Sequence, residues 1–286
     1  MAIVASSRRT AALLLAALSL PAAAVTCHAQ TSATGRYLGF DRNTFPGEAA
    51  LPALRQHFSF VGYWLNTPPG AHSNSWAGHR AILVQAGFGF LVLWNGRLDA
   101  QIKHAGVSPE ILGRADAAHA ITAAQREHFP PGTLLFLDQE EGGRLLPEQA
   151  AYLLAWTEAV AATSFRPGVY TSGQPVTDGP GPGETITTAA DISTRVRTQH
   201  LHPVALWVAQ DSCGPSTGCT LIPPPFSANG TPDALVWQYA QSPRRPEITR
   251  TCARTYNAHG NCTVPALPAL FLDLNLSPSA DPSRGR

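Results

Sequence analysis

Eight short apolar runs, separated by longer stretches of different character, constrain the fold of this chain more than any other feature. Most of the runs are continuously hydrophobic rather than alternating, which is typical of strands buried on both faces of a parallel sheet. They lie at residues 37–40, 60–65, 89–94, 133–137, 168–170, 205–209, 234–239 and 269–272. The pattern therefore predicts eight buried strands, arranged largely in parallel.

Four stretches between these runs have the composition or the three- and four-residue spacing of helices. They lie at residues 75–86, 116–128, 147–163 and 189–199, and Asp116 is a candidate N-cap for the second of them. The last connections, residues 213–232 and 242–268, are rich in Pro, Gly and Asn and predict no helix. The fold class predicted is α/β, a (β/α)8 TIM-type barrel that is irregular in its last units. An open doubly wound sheet is the alternative, disfavoured because no glycine-rich dinucleotide fingerprint follows the first run.

The beginning of the chain has the organisation of an export signal. A pair of arginines precedes an apolar stretch, residues 11–24, that is too short for a membrane span of about 20 residues. We expect a signal peptide at 1–29 with cleavage after Ala29, a barrel domain at 30–276 and a polar C-terminal tail at 277–286. The alternatives are a membrane anchor and a lipoprotein anchored through Cys27, and the paired arginines leave the twin-arginine export route open.

The cysteines agree with export. Four of the five remain after removal of the signal, and an even number in an exported chain predicts disulfides. Three pairings are open, and the short spacings favour two local bridges, Cys213–Cys219 and Cys252–Cys262. A zinc site is the alternative, but these spacings do not match those of common zinc ligands.

Charge and motifs exclude several classes of function. The chain has 20 basic and 19 acidic residues and no basic patch, which argues against nucleic acid as a partner. A phosphate-binding loop, a zinc-protease motif and a nucleophile elbow are all missing from the sequence. The sequence therefore predicts neither a cofactor nor a metal.

Carboxylates stand at the ends of the predicted strands. Asp41 ends the first run, Asp138 and Glu140 follow the fourth, and Asp273 follows the eighth. In a barrel these positions meet at the carboxyl-terminal rim, where active sites are built. Asp138 and Glu140 are two residues apart and point to the same side of an extended strand, whereas Glu141 points away. Two adjacent carboxyl groups have different pKa values, so one is neutral while the other is charged, as cleavage of a glycosidic bond requires.

Aromatic residues also end several of the runs. They are Trp64, Trp94, Tyr170, Trp207, Trp237 and Tyr239. Such rings either stack on sugar faces or pack in the core, and core packing is expected for at least half of them.

Five motifs occur in an order that resembles a known family. They are Gly39-Phe40-Asp41, Leu137-Asp138-Gln139-Glu140, Leu206-Trp207-Val208-Ala209, Trp237-Gln238-Tyr239 and Leu272-Asp273-Leu274-Asn275. Together they resemble the family-25 glycoside hydrolases, which are lysozyme-like muramidases, and still more a related bacterial family called glycoside hydrolase-like, of unsettled function. Two departures are that Arg42 and Asn43 replace the usual Val-Ser after Asp41, and that the second run ends without the usual arginine.

The resemblance implies a barrel that acts on peptidoglycan or descends from enzymes that do. By motif match Glu140 is the general acid, and Asp138 orients or polarises the acetamido group of the substrate or serves as a base. Asp41 and Asp273 complete an acidic cleft, and Tyr170, Trp207, Gln238 and Asn275 are the other candidate substrate-binding residues. A monomeric, exported glycoside hydrolase is therefore expected, and the alternative is a non-catalytic glycan-binding or envelope protein on an inherited barrel.

Overall fold

The structure is a computed structural model that describes residues 1–2, 36–179, 181 and 183–286. Nearly all of the predicted signal peptide, with its cleavage position, lies outside these residues. In the described ranges no helix is both long enough and apolar enough to cross a membrane.

Each of the eight apolar runs forms a strand, and three shorter strands join them in the described part of the chain. The strands are β1 (Tyr37–Asp41), β2 (Phe60–Trp64), β3 (Gly89–Asn95), β4 (Leu134–Gln139), β5 (Arg166–Ser172), β6 (Val176–Thr177), β7 (Thr185–Ile186), β8 (Ala205–Ala209), β9 (Ala234–Ala240), β10 (Cys262–Val264) and β11 (Leu267–Ser277). The three strands that were not predicted, β6, β7 and β10, are only two or three residues long and carry no periodic signal.

Four helices overlap the four predicted stretches, with different ends, and two helices of five residues each were not predicted. The helices are α1 (Leu51–Arg55), α2 (Arg80–Gln85), α3 (Asp99–Lys103), α4 (Pro109–Arg126), α5 (Pro147–Ala161) and α6 (Thr188–Thr198), and short 3-10 helices lie at Glu48–Ala50, Phe226–Asn229 and Arg250–Thr255. The two that were not predicted are α1 and α3. The N-cap predicted at Asp116 is wrong, because α4 begins at Pro109 and the hydroxyl of Ser108 accepts the cap hydrogen bond from the backbone of Ile111. Asp116 is instead a buried residue inside the helix.

The sheet is a closed barrel, as predicted, and the open-sheet alternative is wrong. Its strand order is β1-β2-β3-β4-β5-β8-β9-β11, and a further pairing of β1 with β11 closes it. The pairs from β1 to β9 are parallel, but β11 runs antiparallel to both of its neighbours. The chain does not return to the far end of the barrel after β9. Residues 241–261 stay at the carboxyl-terminal rim, so β11 enters from that rim and runs downward.

The barrel interior is packed with aromatic side chains below the rim. Phe136 and Trp207 have ring centroids 5.8 Å apart, and Tyr170 lies 4.8 Å from Trp207 on the rim side. Gly39 has no room for a side chain, because an added Cβ would overlap the ring of Phe60. The barrel interior below the rim is therefore filled by closely packed side chains.

The segment predicted as a polar tail packs against the barrel. Ser283 is fully buried, and its hydroxyl accepts a hydrogen bond from the backbone N–H of Val92 at 3.0 Å. Its carbonyl accepts one from Leu134 at 2.8 Å, and Asp281 accepts another from Phe90 at 2.8 Å. Residues 278–286 thus cover the end of the barrel opposite the rim.

The predicted cysteine pairing is wrong. Disulfides join Cys213 to Cys252 and Cys219 to Cys262, with Cα separations of 5.6 Å and 5.0 Å. The short loops do not close on themselves, because the segment around residues 248–255 packs against the loop that follows β8. Backbone hydrogen bonds such as Cys213 N–H to the carbonyl of Ile248, at 2.9 Å, hold the two segments together. All four sulfurs are used in disulfides, which are typical of exported proteins.

Candidate active site

The four candidate carboxylates lie at one rim of the barrel. Asp41 is the last residue of β1 and lies opposite Asp273 in the antiparallel pair with β11. Asp138 lies in register with Tyr170 of β5, and Glu140 directly follows β4. Asp273 does not end its strand as predicted, since β11 continues to Ser277. It still reaches the same rim, because the reversed strand passes Asp41 on its way down.

Asp41 is held by a network of buried side chains. Its Oδ1 accepts hydrogen bonds from Asn275 Nδ2 at 2.6 Å and from Gln238 Nε2 at 3.0 Å. The indole of Trp207 donates to Asn275 Oδ1 at 2.9 Å, and the hydroxyl of Tyr170 donates to Gln238 Oε1 at 2.8 Å. Four of the predicted substrate-binding residues therefore position Asp41. Direct contact between them and a glycan stays a prediction, because Trp207 and Asn275 are fully buried in this conformation.

Burial is the main influence on the ionisation of Asp41. It raises the pKa of this carboxyl to about 6, against the opposing hydrogen bonds from Asn275 and Gln238. The charge of Glu140 adds to the increase. Because a buried carboxylate is costly unless it is paired, Asp41 is partly protonated near pH 6.

Asp138 and Glu140 are two neighbouring carboxyl groups with different access to solvent. Asp138 is 3% exposed, and neither of its oxygens has a hydrogen-bond partner among the described residues. Burial, with the charges of Glu140 and Asp41, raises the pKa of Asp138 well above its usual value. Glu140 is exposed at the rim, and crowding of its carboxyl by protein raises its pKa, while Asp138 and the charge of Arg245 oppose the increase. The pair therefore retains a proton to higher pH than an isolated carboxyl group would.

Asp273 adds a fourth carboxyl group whose affinity for a proton is increased. Burial and the charge of Asp41 raise its pKa well above the usual value, against a 2.5 Å hydrogen bond from the backbone N–H of Ser242. Arg42 lies near Asp273, and burial lowers the pKa of its guanidinium, opposed by the charge of that carboxyl. Two of the Arg42 nitrogens, Nε and Nη1, are buried without a partner among the described residues. The rim thus gathers four carboxyl groups whose pKa values are raised.

A cavity of about 190 Å³ opens beside Asp138 and Glu140. The loops after β2 and β3 form its opposite wall, with Pro69, Gly70 and residues 95–98, and Gln101 of α3 completes it. The general acid predicted from the sequence therefore borders a space that admits a ligand. In the described ranges no cluster of three or more His, Cys, Asp or Glu residues could hold a metal ion.

One family matches most of the barrel sequence. The family profile described as the Rv2525c-like, glycoside hydrolase-like domain aligns with residues 53–251, which is more than half of the chain. The chain belongs to this family. The match includes Asp138 and Glu140, whereas Asp41 and Asp273 lie outside the aligned range.

Three solved structures are similar to the chain at low sequence identity. An uncharacterized protein of B. stearothermophilus is 20% identical, with a TM-score of 0.55 over 84% of this chain and 95% of that one. The Tat-secreted protein Rv2525c of Mycobacterium tuberculosis is 12% identical, with a TM-score of 0.48 over 84% and 94%. The spore cortex lytic enzyme SleM of Clostridium perfringens is 13% identical, with a TM-score of 0.49 over 87% and 70%. None of the curated proteins matches the chain. The first of these structures supports the barrel fold of this glycoside hydrolase-like chain.

No strand-end aromatic residue of this glycoside hydrolase-like barrel presents an open ring face at the rim. All six are buried: Trp64, Trp94, Tyr170, Trp207, Trp237 and Tyr239. All six rings therefore pack in the core, and in this conformation none of them can stack on the face of a sugar. The strands are covered on both faces, so a side chain is buried whether it points into the barrel or away from it.

The sequence pattern did not identify three charged groups around the site. Arg245 forms a two-contact ion pair with the buried Asp211, including Nε to Oδ2 at 3.1 Å, and its charge acts on Glu140. Arg97 lines the cavity, and Arg42 lies beside Asp273. Arg245 lies in the long connection after β9, where the sequence has no periodic pattern that would indicate the direction of its side chain. For Arg97 and Arg42, the only available signal was a polar residue soon after the end of a strand.

Glu141 lies away from the cavity, as expected from its position on the other side of the strand. Its carboxylate accepts hydrogen bonds from the backbone N–H of Asp99 at 2.7 Å and from Gln149 Nε2 at 2.6 Å. These contacts place a negative charge at the amino-terminal end of α3, where it is stabilising.

Proposed function

We propose that this chain is an exported glycoside hydrolase that cleaves the glycan of peptidoglycan. The observation that carries the proposal is the Asp138–Glu140 pair, which borders a cavity and retains a proton above the usual carboxyl range. A general acid has to be neutral before the bond breaks and to reach the leaving oxygen. Membership in a glycoside hydrolase-like family supports the same reaction class.

Glu140 is the proton donor in this proposal. It is the exposed member of the pair, so its carboxyl can approach the glycosidic oxygen. Its proton passes to that oxygen as the bond between the sugar carbon and the oxygen breaks, and a water molecule then adds its hydroxyl to the carbon. The proton of that water returns to the carboxyl pair, which restores the starting state.

Asp138 acts first as the proton partner of Glu140. In the free protein Asp138 is the deeper of the two carboxyl groups, and burial raises its pKa well above the usual value. Contact with an acetamido N–H group would stabilise the carboxylate of Asp138 and leave the proton on Glu140. Such a contact requires the groups that cover Asp138 to move, because both of its oxygens are buried. Asp41, whose pKa is about 6, is ionised above that pH and then favours the positive charge that develops on the sugar.

Hydrolysis of purified peptidoglycan by the mature chain and by two matched variants tests the proposal. Glu140→Gln keeps the shape and removes the proton, so we expect turnover to fall by at least ~100-fold with glycan binding retained. Glu141→Gln changes the adjacent carboxylate, which faces away from the cavity, and should leave turnover near that of the wild type. Release of soluble muropeptides and new reducing ends would be measured.

The outcomes separate the two function classes. If Glu140→Gln hydrolyses peptidoglycan as fast as the wild type, the assignment of the acid is wrong. If the wild type binds glycan and hydrolyses none, the chain is a glycan-binding protein on an inherited barrel.

We also propose that the working form is a monomer exported after cleavage at Ala29. The two disulfides support an oxidising destination. Amino-terminal sequencing of the exported protein and its mass in solution test these points.

A further inference from the structure

A guanidinium group is fixed in the same cavity as the carboxyl pair. Arg97 donates from Nε to Asp116 Oδ2 at 2.6 Å and from Nη2 to Asp116 Oδ1 at 2.9 Å. Asp116 is 3% exposed and also accepts a hydrogen bond from the hydroxyl of Tyr152 at 2.9 Å. Two parallel hydrogen bonds to this buried carboxylate hold the Arg97 fork in one orientation.

The remaining edge of this guanidinium is available to a ligand. The Arg97 side chain is 39% exposed, and its Nη1 has no hydrogen-bond partner among the described residues. Gln101 lies beside it on the cavity wall, with Oε1 occupied by the backbone N–H of Leu98, so its amide N–H group is a second donor. Among the described residues that line the cavity, Arg97 is the only cation, and Asp138 and Glu140 carry the only carboxyl groups.

We propose that Arg97 recognises a carboxylate on the substrate, so that the site selects an anionic glycan over a neutral one. The inference rests on the proposed function of the cavity and adds the charge class of its substrate. A neutral glycan would leave the free edge of the guanidinium unused, whereas a carboxylate would accept charge-assisted hydrogen bonds from it. Because Asp116 already fixes the side chain, little conformational entropy is lost on binding.

In peptidoglycan such a carboxylate has two sources, the acidic side group of a sugar and the peptide attached to it. Either would present the same planar anion to Arg97. The probes of the binding experiment are chosen to separate them.

The experiment measures binding by calorimetry to the otherwise intact Glu140→Gln chain, so that absence of turnover does not affect the result. The three probes are a muramic-acid disaccharide with a free carboxylate, the same disaccharide carrying a peptide, and a neutral chitin disaccharide. We expect at least one acidic probe to bind ~10-fold more tightly than the neutral one, the scale of one charge-assisted hydrogen bond. Preference for the first acidic probe assigns the carboxylate to the sugar, and preference for the second alone assigns it to the peptide.

Substitutions connect the preference to Arg97. Arg97→Gln should abolish the preference and leave the affinity for the neutral probe unchanged, and Arg97→Lys should retain part of it. Arg195→Gln is the matched control, since Arg195 also pairs with a buried aspartate, Asp191, at 2.9 Å and does not line the cavity. The ratio of affinities within one variant does not depend on the fraction folded, so loss of stability alone would not imitate the effect.

Two results would overturn the inference. One is that the Glu140→Gln chain, with Arg97 intact, binds the acidic and neutral probes with equal affinity. The other is that the preference for an acidic probe survives when Arg97→Gln is added. Either result leaves the proposed hydrolysis untouched, because hydrolysis is judged by turnover with Glu140 present.

Discussion

Asp41 shows how a single buried carboxyl can make the stability of this protein depend on pH. Its pKa is raised from 3.8 to about 6, chiefly by burial. The folded state therefore binds a proton more strongly than the unfolded state, and the associated stability is present below about pH 4 and lost as pH rises through 6. Asp41→Asn removes this titration while its side-chain oxygen can still accept from Asn275 and Gln238.

We expect the variant to gain roughly 1–3 kcal/mol in free energy of unfolding relative to the wild type between pH 4 and pH 8. Denaturant unfolding at several pH values measures this difference. Asp233→Asn is the control at an exposed position and should show no such trend. A difference for Asp41→Asn that does not change with pH would contradict the assignment.

The two disulfides determine how the irregular elements after β8 are held at the rim. Each bridge links residues about forty apart, with sequence separations of 39 and 43. Closing a loop of that length stabilises a fold by about 4 kcal/mol in the chain-entropy model. We expect the double variant Cys219→Ala/Cys262→Ala to lose roughly 2–4 kcal/mol in free energy of unfolding, measured with denaturant.

Peptide mapping without reduction checks the pairing that this prediction assumes. Fragments joined through Cys213 and Cys252, and through Cys219 and Cys262, are expected. Fragments joined through Cys213 and Cys219 would contradict the structure. The fully reduced wild type should show a decrease in free energy of unfolding equal to that caused by removal of both disulfides.

At the scale of the whole molecule, residues 278–286 close the barrel opposite the carboxyl-terminal rim. Ser283 and Asp281 accept hydrogen bonds from the backbones of Val92, Leu134 and Phe90. Removal of residues 280–286 takes away the acceptors of these three backbone donors, at about 1–2 kcal/mol each. We expect the truncated chain to unfold at a clearly lower temperature, with a loss of roughly 3–6 kcal/mol in free energy of unfolding.

Removal of Arg286 alone is the control, since its contacts are exposed and should contribute within about 0.5 kcal/mol. Thermal unfolding followed by circular dichroism compares the two truncations. Equal melting temperatures for the longer truncation and the wild type would show that the segment does not hold the barrel end.

What the sequence by itself determined is what depends on local pattern. Continuous apolar runs predicted all eight barrel strands, because burial on both faces leaves no polar alternation. The step of two between Asp138 and Glu140 put both carboxyl groups on one side of the chain, and Glu141 on the other, through the two-residue repeat of a strand.

Only the tertiary structure decided the features that join distant parts of the chain. The reversed direction of β11, the cysteine pairing and the burial of Trp207 depend on which segments meet in space. Arg97 acquired its orientation from Asp116 on another element, at 2.6 Å. The physical reason is that hydrophobic periodicity records which side of a strand or helix is buried, and carries no information about which remote residue will lie against it.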